Sequence, residues 1–239
     1  MYGYGGYAPY VSVAEKKAKA QKALAKLKKA GKDVEPIVIE GTKIAKTWWG
    51  IAWNKNLESY ADYENRIGRG RSYVRNGFIF DLKVSAGKIN AIVSGSGSKP
   101  YTIVIKVDEL SAEKWEAAIA ACSRQIDSIS DLAAGKFPQE LESVFTEKGE
   151  GLFPSPKEIH FDCSCPDWAS MCKHIAAVLY GIGARFDDDP LLFFKLRGID
   201  FELLIKKSVE EKMKSMLEHA DEKTSRVLDD EEIGDLFGL

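Results

Sequence analysis

Three of the chain's four cysteines fall within ten residues and a histidine follows directly: Cys163-Ser164-Cys165-Pro166-Asp167-Trp168-Ala169-Ser170-Met171-Cys172-Lys173-His174. No other stretch of the 239 residues limits the local fold as strongly. Three thiolates and one imidazole make a complete four-donor set, the number that tetrahedral zinc takes. Pro166-Asp167 marks a turn after the first pair. Cys172-x-His174 stands where Ile175, Val178, Leu179 and Ile182 begin a helical apolar pattern. A helix N-terminus carries partial positive charge, which lowers a thiol's pKa and presents the thiolate.

A catalytic zinc keeps a position open for water, and here the protein fills all four. A structural zinc site is therefore expected, with Cys163, Cys165, Cys172 and His174 as ligands. A redox thiol pair and inert cysteines are the competing readings, and soft thiolates also bind iron or copper. His160 is a spare donor by position, although a strand or turn histidine explains it as well. Cys122 lies with Trp115 and Ile119 at helical spacing, which makes it a core residue.

The reading of clustered cysteines as metal ligands needs a reducing compartment. The first six residues, Met1-Tyr2-Gly3-Tyr4-Gly5-Gly6, have neither a basic nor an apolar secretory segment. The longest apolar run, Ile175 to Ala184, is ten residues, against about 20 for a membrane span. A cytoplasmic protein without membrane contact is expected.

Elsewhere the pattern is mixed. Residues 13–30 are rich in Ala and Lys, both good helix formers, with Gly31 as a stop. Trp49, Trp53, Leu57 and Tyr60 recur at helical spacing, so packing explains these tryptophans better than base stacking. Phe78 to Val84, Ile89 to Ser94 and Tyr101 to Val107 read as a three-stranded antiparallel meander with one buried face. Ser111 is a helix N-cap, and residues 201–219 read as helix.

The formal net charge of −2 conceals a gradient. Residues 1–35 carry +5 and residues 36–110 carry +4, whereas residues 111–186 carry −4 and residues 187–239 carry −7. Eight lysines crowd residues 16–32. Arg66, Arg69, Arg71 and Arg75 are interleaved with Gly68, Gly70 and Tyr73, and read as a loop whose guanidinium groups suit phosphate and base edges. These four arginines are the candidate nucleic-acid contacts, DNA being the expected polymer. A solvated loop and a solvated lysine helix are the plainer alternatives. The acidic tail ends in Ile233, Leu236, Phe237 and Leu239. It has too few apolar groups for a core, so Ile233, Leu236 and Phe237 are candidate partner-docking residues.

Cys-x-Cys, a six-residue gap, Cys-x-His and a following apolar helix resemble the SWIM zinc finger. Thr47-Trp48-Trp49-Gly50, Arg69-Gly70-Arg71-Ser72-Tyr73, Gly151-Leu152-Phe153-Pro154 and Tyr180-Gly181-Ile182-Gly183 extend the likeness to prokaryotic SWIM proteins, often encoded beside Swi/Snf-type helicases. The resemblance implies a ββα unit with two ligands from a hairpin and two at a helix start. It also implies DNA binding or protein–protein contact, including service as an accessory subunit of such a helicase.

The expectation is an α+β protein in four segments. Residues 1–35 form a flexible Tyr/Gly and Lys-rich arm. Residues 36–156 hold the meander and its helices, residues 157–200 a small ββα SWIM-type finger, and residues 201–239 a helical acidic tail. No phosphate-binding glycine loop or Ser/His/Asp set is present, so binding rather than catalysis is expected. The alternative is a pure protein–protein adaptor with no direct nucleic-acid contact.

Overall fold

A computed structural model of the chain describes residues 11–59, 64–95, 99–125, 131 and 138–218. The fold is α+β, and its sheet has four antiparallel strands in the order β1-β2-β3-β4. These are β1 (Ile79–Ser85), β2 (Lys88–Val93), β3 (Tyr101–Val107) and β4 (Ile159–Cys163). The first three are the expected meander. The fourth comes from the finger and pairs along β3, with Ile103 opposite Cys163 and Val107 opposite Ile159. The finger's strand is thus an edge of the main sheet.

The sheet buries both faces rather than one, and a bulge is the reason. The β1–β2 register shifts between Ile79 and Asp81. An extra residue inverts the side-chain alternation beyond it. Phe78 and Phe80 therefore share one face while Ile79 and Leu82 enter the main core on the other. Helix α1 (Val13–Lys29) covers the Phe78–Phe80 face through Ala20, Ala23, Leu24 and Leu27. It starts in a reciprocal capping box between Ser12 and Glu15 and ends before Gly31 at φ +71°. Residues 13–29 are accordingly a helix laid on the sheet, not a free arm.

The opposite face carries α2 (Trp48–Glu58), α3 (Glu64–Arg75) and α6 (Lys173–Asp188), the helix that follows the cysteine cluster. Helix α6 is buried nearly all round, because α2, α3 and the sheet enclose it. Trp53 is fully buried and its indole N–H donates to the Leu179 carbonyl at 3.0 Å. Trp49 donates to the Phe186 carbonyl at 2.8 Å. The carboxylate of Asp187 accepts from the Lys46 and Thr47 N–H groups and from the Thr47 hydroxyl, which fixes the entry to α2.

The arginine-rich segment is helix α3, not a loop. Ile67, Gly70 and Val74 form its buried face. Gly70 is needed for the close approach: a Cβ there would lie 2.6 Å from the Ala176 Cβ of α6. Helix α4 (Ala112–Arg124) starts at the Ser111 cap and buries Cys122. The short α5 (Glu142–Thr146) and α7 (Leu191–Leu196) bring Phe145, Phe193 and Phe194 together, and α8 (Phe201–Glu218) packs on α4. One continuous core runs from Ile37 to Leu204, so residues 36–156 and the finger share it. Among the described residues no helix is long and apolar enough to cross a membrane.

Candidate metal centre and the basic groove beside it

The four donors come from two places. Cys163 is the last residue of β4 and Cys165 follows the turn out of the strand. Ser164 holds that turn to β3: its N–H donates to the Thr102 carbonyl at 3.1 Å, and its hydroxyl accepts from the Thr102 N–H at 3.0 Å. Cys172 is the N-cap residue of α6 and His174 lies in its first turn. The four ligand atoms all lie within 4.8 Å of one another. His174 Nδ1 is 3.7 Å from Cys172 Sγ and 4.0 Å from Cys163 Sγ.

These spacings fit a metal. Zinc with Zn–S bonds of about 2.3 Å would set tetrahedral edges of about 3.8 Å. The histidine supplies a second reason. It is buried between Tyr73 and Tyr101, with ring centroids 5.3 and 4.7 Å away, and its Nε2 has no hydrogen-bond partner among the described residues. Burying an imidazole with one nitrogen unpartnered is costly. The reason lies at the other nitrogen: Nδ1 faces two cysteine sulfurs, and a metal held there fixes the Nε2–H tautomer. The thiols act on one another: a hydrogen bond from the Cys163 thiol, above all, lowers the Cys172 pKa despite burial. His174 and the backbone N–H groups of Ile175 and His174 add to the effect. The same contact, with burial, drives Cys163 upward. Of the two, Cys172 gives up its proton the more readily. His160 stays outside, with Nε2 3.0 Å from an Asp108 carboxylate oxygen.

A family model for the SWIM zinc finger matches residues 161–181, the stretch that holds all four donors and the start of α6. The chain carries a SWIM zinc finger. Beyond the finger, it is 37% identical over 163 residues to the uncharacterized protein Rv2102 of Mycobacterium tuberculosis. The match covers 68% of this chain and 58% of that relative's length. No solved structure matches the chain.

Next to the SWIM finger lies a groove of about 560 Å³, lined on one side by α1 and on the other by α3 and the start of α6. Lys16, Lys19, Arg69 and Lys173 line it with Tyr73 and Ser72, and among the described residues no carboxylate does. Among the described residues Lys16, Arg69 and Lys173 enter no ion pair. Lys173 also lies over the Tyr73 ring, 5.8 Å from its centroid, and Tyr73 packs on His174. The groove and the SWIM finger's donor cluster are therefore one continuous structure.

The four arginines singled out in the sequence divide. Arg69 lines the groove and Arg75 is exposed at the end of α3. Arg66 pairs with Asp167 of the finger at 2.5 Å. Arg71 pairs with Glu58 at 2.6 Å and donates to the Tyr180 hydroxyl at 2.8 Å. Burial, and then Glu58, raise the Tyr180 pKa, so that hydroxyl stays protonated and donates to Glu58. Arg66 and Arg71 thus hold α3 to the finger and to α2. Lys173 escaped sequence reasoning because the finger's block is net acidic; its position between two ligands was the available signal. Ile233, Leu236 and Phe237 lie outside the described residues.

Proposed function

We propose that the protein is a non-catalytic nucleic-acid-binding protein, DNA being the expected polymer. In this reading the zinc finger is the structural brace and the adjoining groove receives the phosphate backbone. The carrying observation is the set Lys16, Lys19, Arg69 and Lys173 in one groove with no carboxylate among the described lining residues. Cations from three separate segments converge there, as a site for a polyanion requires. The full protein ligand set supports a role in binding rather than catalysis. Zinc, when bound, supplies fixed geometry at the start of α6, which orients Lys173 toward the groove.

Four phosphate contacts on duplex DNA give a slope of about −3.6 in log K against log salt, or roughly a 150-fold loss between 50 and 200 mM. Replacing all four cations with alanine should flatten the slope almost completely. Replacing Arg66 or Arg71 should change it little. A slope that survives the fourfold replacement refutes the groove as the interface.

A second reading is protein docking, as an accessory subunit of a Swi/Snf-type helicase. It draws support from Val209, Met213, Met216 and Leu217, exposed at i, i+4, i+7 and i+8 on α8. Deleting residues 227–239 tests the tail's part in it: co-purification of the helicase should be lost while zinc content stays intact. Unchanged co-purification removes the tail from this reading.

A further inference from the structure

Trp168 is 85% exposed, the most exposed large apolar side chain among the described residues. The other four tryptophans pack: Trp53 is fully buried, and Trp48, Trp49 and Trp115 lie against the core. Nothing loose accounts for the difference. On one side of Trp168, the Asp167 carboxylate accepts from Arg66 Nη1 at 2.5 Å and from the Ala169 N–H at 3.3 Å. On the other side Ala169 is buried. The donor residues Cys165 and Cys172 anchor both ends of the segment. Held at both flanks, the indole has to project into solvent.

Its neighbourhood suggests what it meets. Arg66, which pins the indole's segment, is one helical turn from Arg69, which lines the basic groove. Lys173, five residues beyond Trp168, lines the same groove. The exposed indole is therefore tied, through Asp167 and Arg66, to the helix that carries Arg69, and along the chain to Lys173. Proteins that bind single strands combine these two features: cations follow the backbone while aromatic rings stack on bases, which all have a π-face. In a duplex those faces are already covered by neighbouring pairs. Because the segment is already ordered, stacking costs it little conformational entropy.

We propose that Trp168 is a base-stacking platform and that the groove's preferred ligand is a single-stranded nucleic acid. The backbone lies along Lys16, Lys19, Arg69 and Lys173, and an unpaired base stacks on the indole. This rests on the groove being a phosphate site.

The experiment compares zinc-loaded wild type, Trp168→Ala and Trp168→Phe for binding to a 12-nucleotide oligothymidylate and to a 12-base-pair duplex, at one fixed salt concentration. Zinc content and melting curves of the variants establish that they fold. Trp168→Ala should lose about five- to 150-fold in affinity for the single strand, the range that one stacked base supplies. It should change duplex affinity less than about twofold, and Trp168→Phe should recover part of the loss. Wild-type tryptophan emission should fall as the single strand binds, and that quenching should be absent in Trp168→Ala. Unchanged single-strand affinity in Trp168→Ala overturns the proposal, whatever else the indole then binds, a protein included. Equal losses for strand and duplex overturn it too, since the indole would then act as a wedge. Salt-dependent binding that ignores Trp168 leaves the groove reading standing, whereas no binding of either polymer by wild type refutes both.

Discussion

The most consequential buried charge in the fold is Arg197, and its environment sets the size of a measurable effect. The guanidinium is fully buried. Nη1 donates to the Asp108 carbonyl at 2.6 Å, Nη2 to Glu158 Oε1 at 2.7 Å, and Nε has no partner among the described residues. Glu158 is otherwise well served: Oε2 accepts from Lys114 Nζ at 2.8 Å, the Ser155 N–H at 2.9 Å and the Ser155 hydroxyl at 2.7 Å. The two partners should therefore not be equivalent. Glu158→Ala strands a full positive charge with one carbonyl, which costs about 3–5 kcal/mol. Arg197→Met fills the space and leaves Glu158 with Lys114 and Ser155, so its cost should be nearer about 1–3 kcal/mol. Against a total stability of about 5–15 kcal/mol, the first substitution is severe. At roughly 2–4 °C per kcal/mol for a chain of this size, it lowers Tm by about 6–20 °C. Urea unfolding of the zinc-loaded variants at pH 7, followed by circular dichroism, measures both. A loss below about 1 kcal/mol in Glu158→Ala, or a larger loss in Arg197→Met, would refute the argument.

The same carboxyl sets an acid limit. Burial alone would raise its pKa, but Lys114, Ser155 and Arg197 overcome that and hold it at about 2, against 4.5 ordinarily. Its contribution is present above pH 4.5 and is lost as pH falls toward 2, so the stability gap between wild type and Glu158→Gln should shrink over that window; a constant gap excludes Glu158 as the source. Chelation removes on the order of 10 kcal/mol from a finger whose helix is the centre of the core, so near-ultraviolet dichroism should collapse across the whole protein, and an unchanged melting curve would rule out a structural metal. Two glycines of α3 should respond in opposite directions. Gly68 has no atom within 4 Å of an added Cβ, so Gly68→Ala should stabilise by up to about 1 kcal/mol. Gly70→Ala meets Ala176 and should destabilise by about 1–3 kcal/mol; equal effects in thermal melts would contradict the helix-packing argument.

Local chemistry explains which elements could be read from the chain alone. The cluster of Cys163, Cys165, Cys172 and His174 was legible because four donors in twelve residues leave little choice, and the caps at Ser111 and Gly31 follow from backbone requirements. Helix α3 was not legible. Arg66-Ile67-Gly68-Arg69-Gly70-Arg71 has two helix-weakening glycines and few apolar residues, so it reads as a loop. The buried set Ile67, Gly70 and Val74 does have helical spacing, but it registers as an apolar face only when α6 lies near enough to require a glycine. The bulge in β1 was hidden for a related reason. Phe78, Phe80 and Leu82 alternate in sequence, and only pairing with β2 shows that Leu82 has changed face. The second covered face, and with it the docking of α1, follows from that one residue.

Charge behaved in the opposite way: the sums were correct and their spatial meaning was not. The finger falls in a block of −4, a sum that by itself argues against a phosphate-binding surface there. Proximity reverses this. Of the finger's own charges, Asp167 is neutralised by Arg66, while Lys173 faces the groove. Arg66 and Arg71 raise the count of the basic half without being available to a ligand, since Asp167 and Glu58 hold them. A polyanion responds to the charges within about a Debye length, roughly 8–10 Å at physiological salt, and not to sums over a segment. Lys16, Lys19, Arg69 and Lys173 line one groove, although 157 positions separate Lys16 from Lys173. Moving one groove cation elsewhere on the surface, with net charge constant, should therefore weaken binding as much as deleting it.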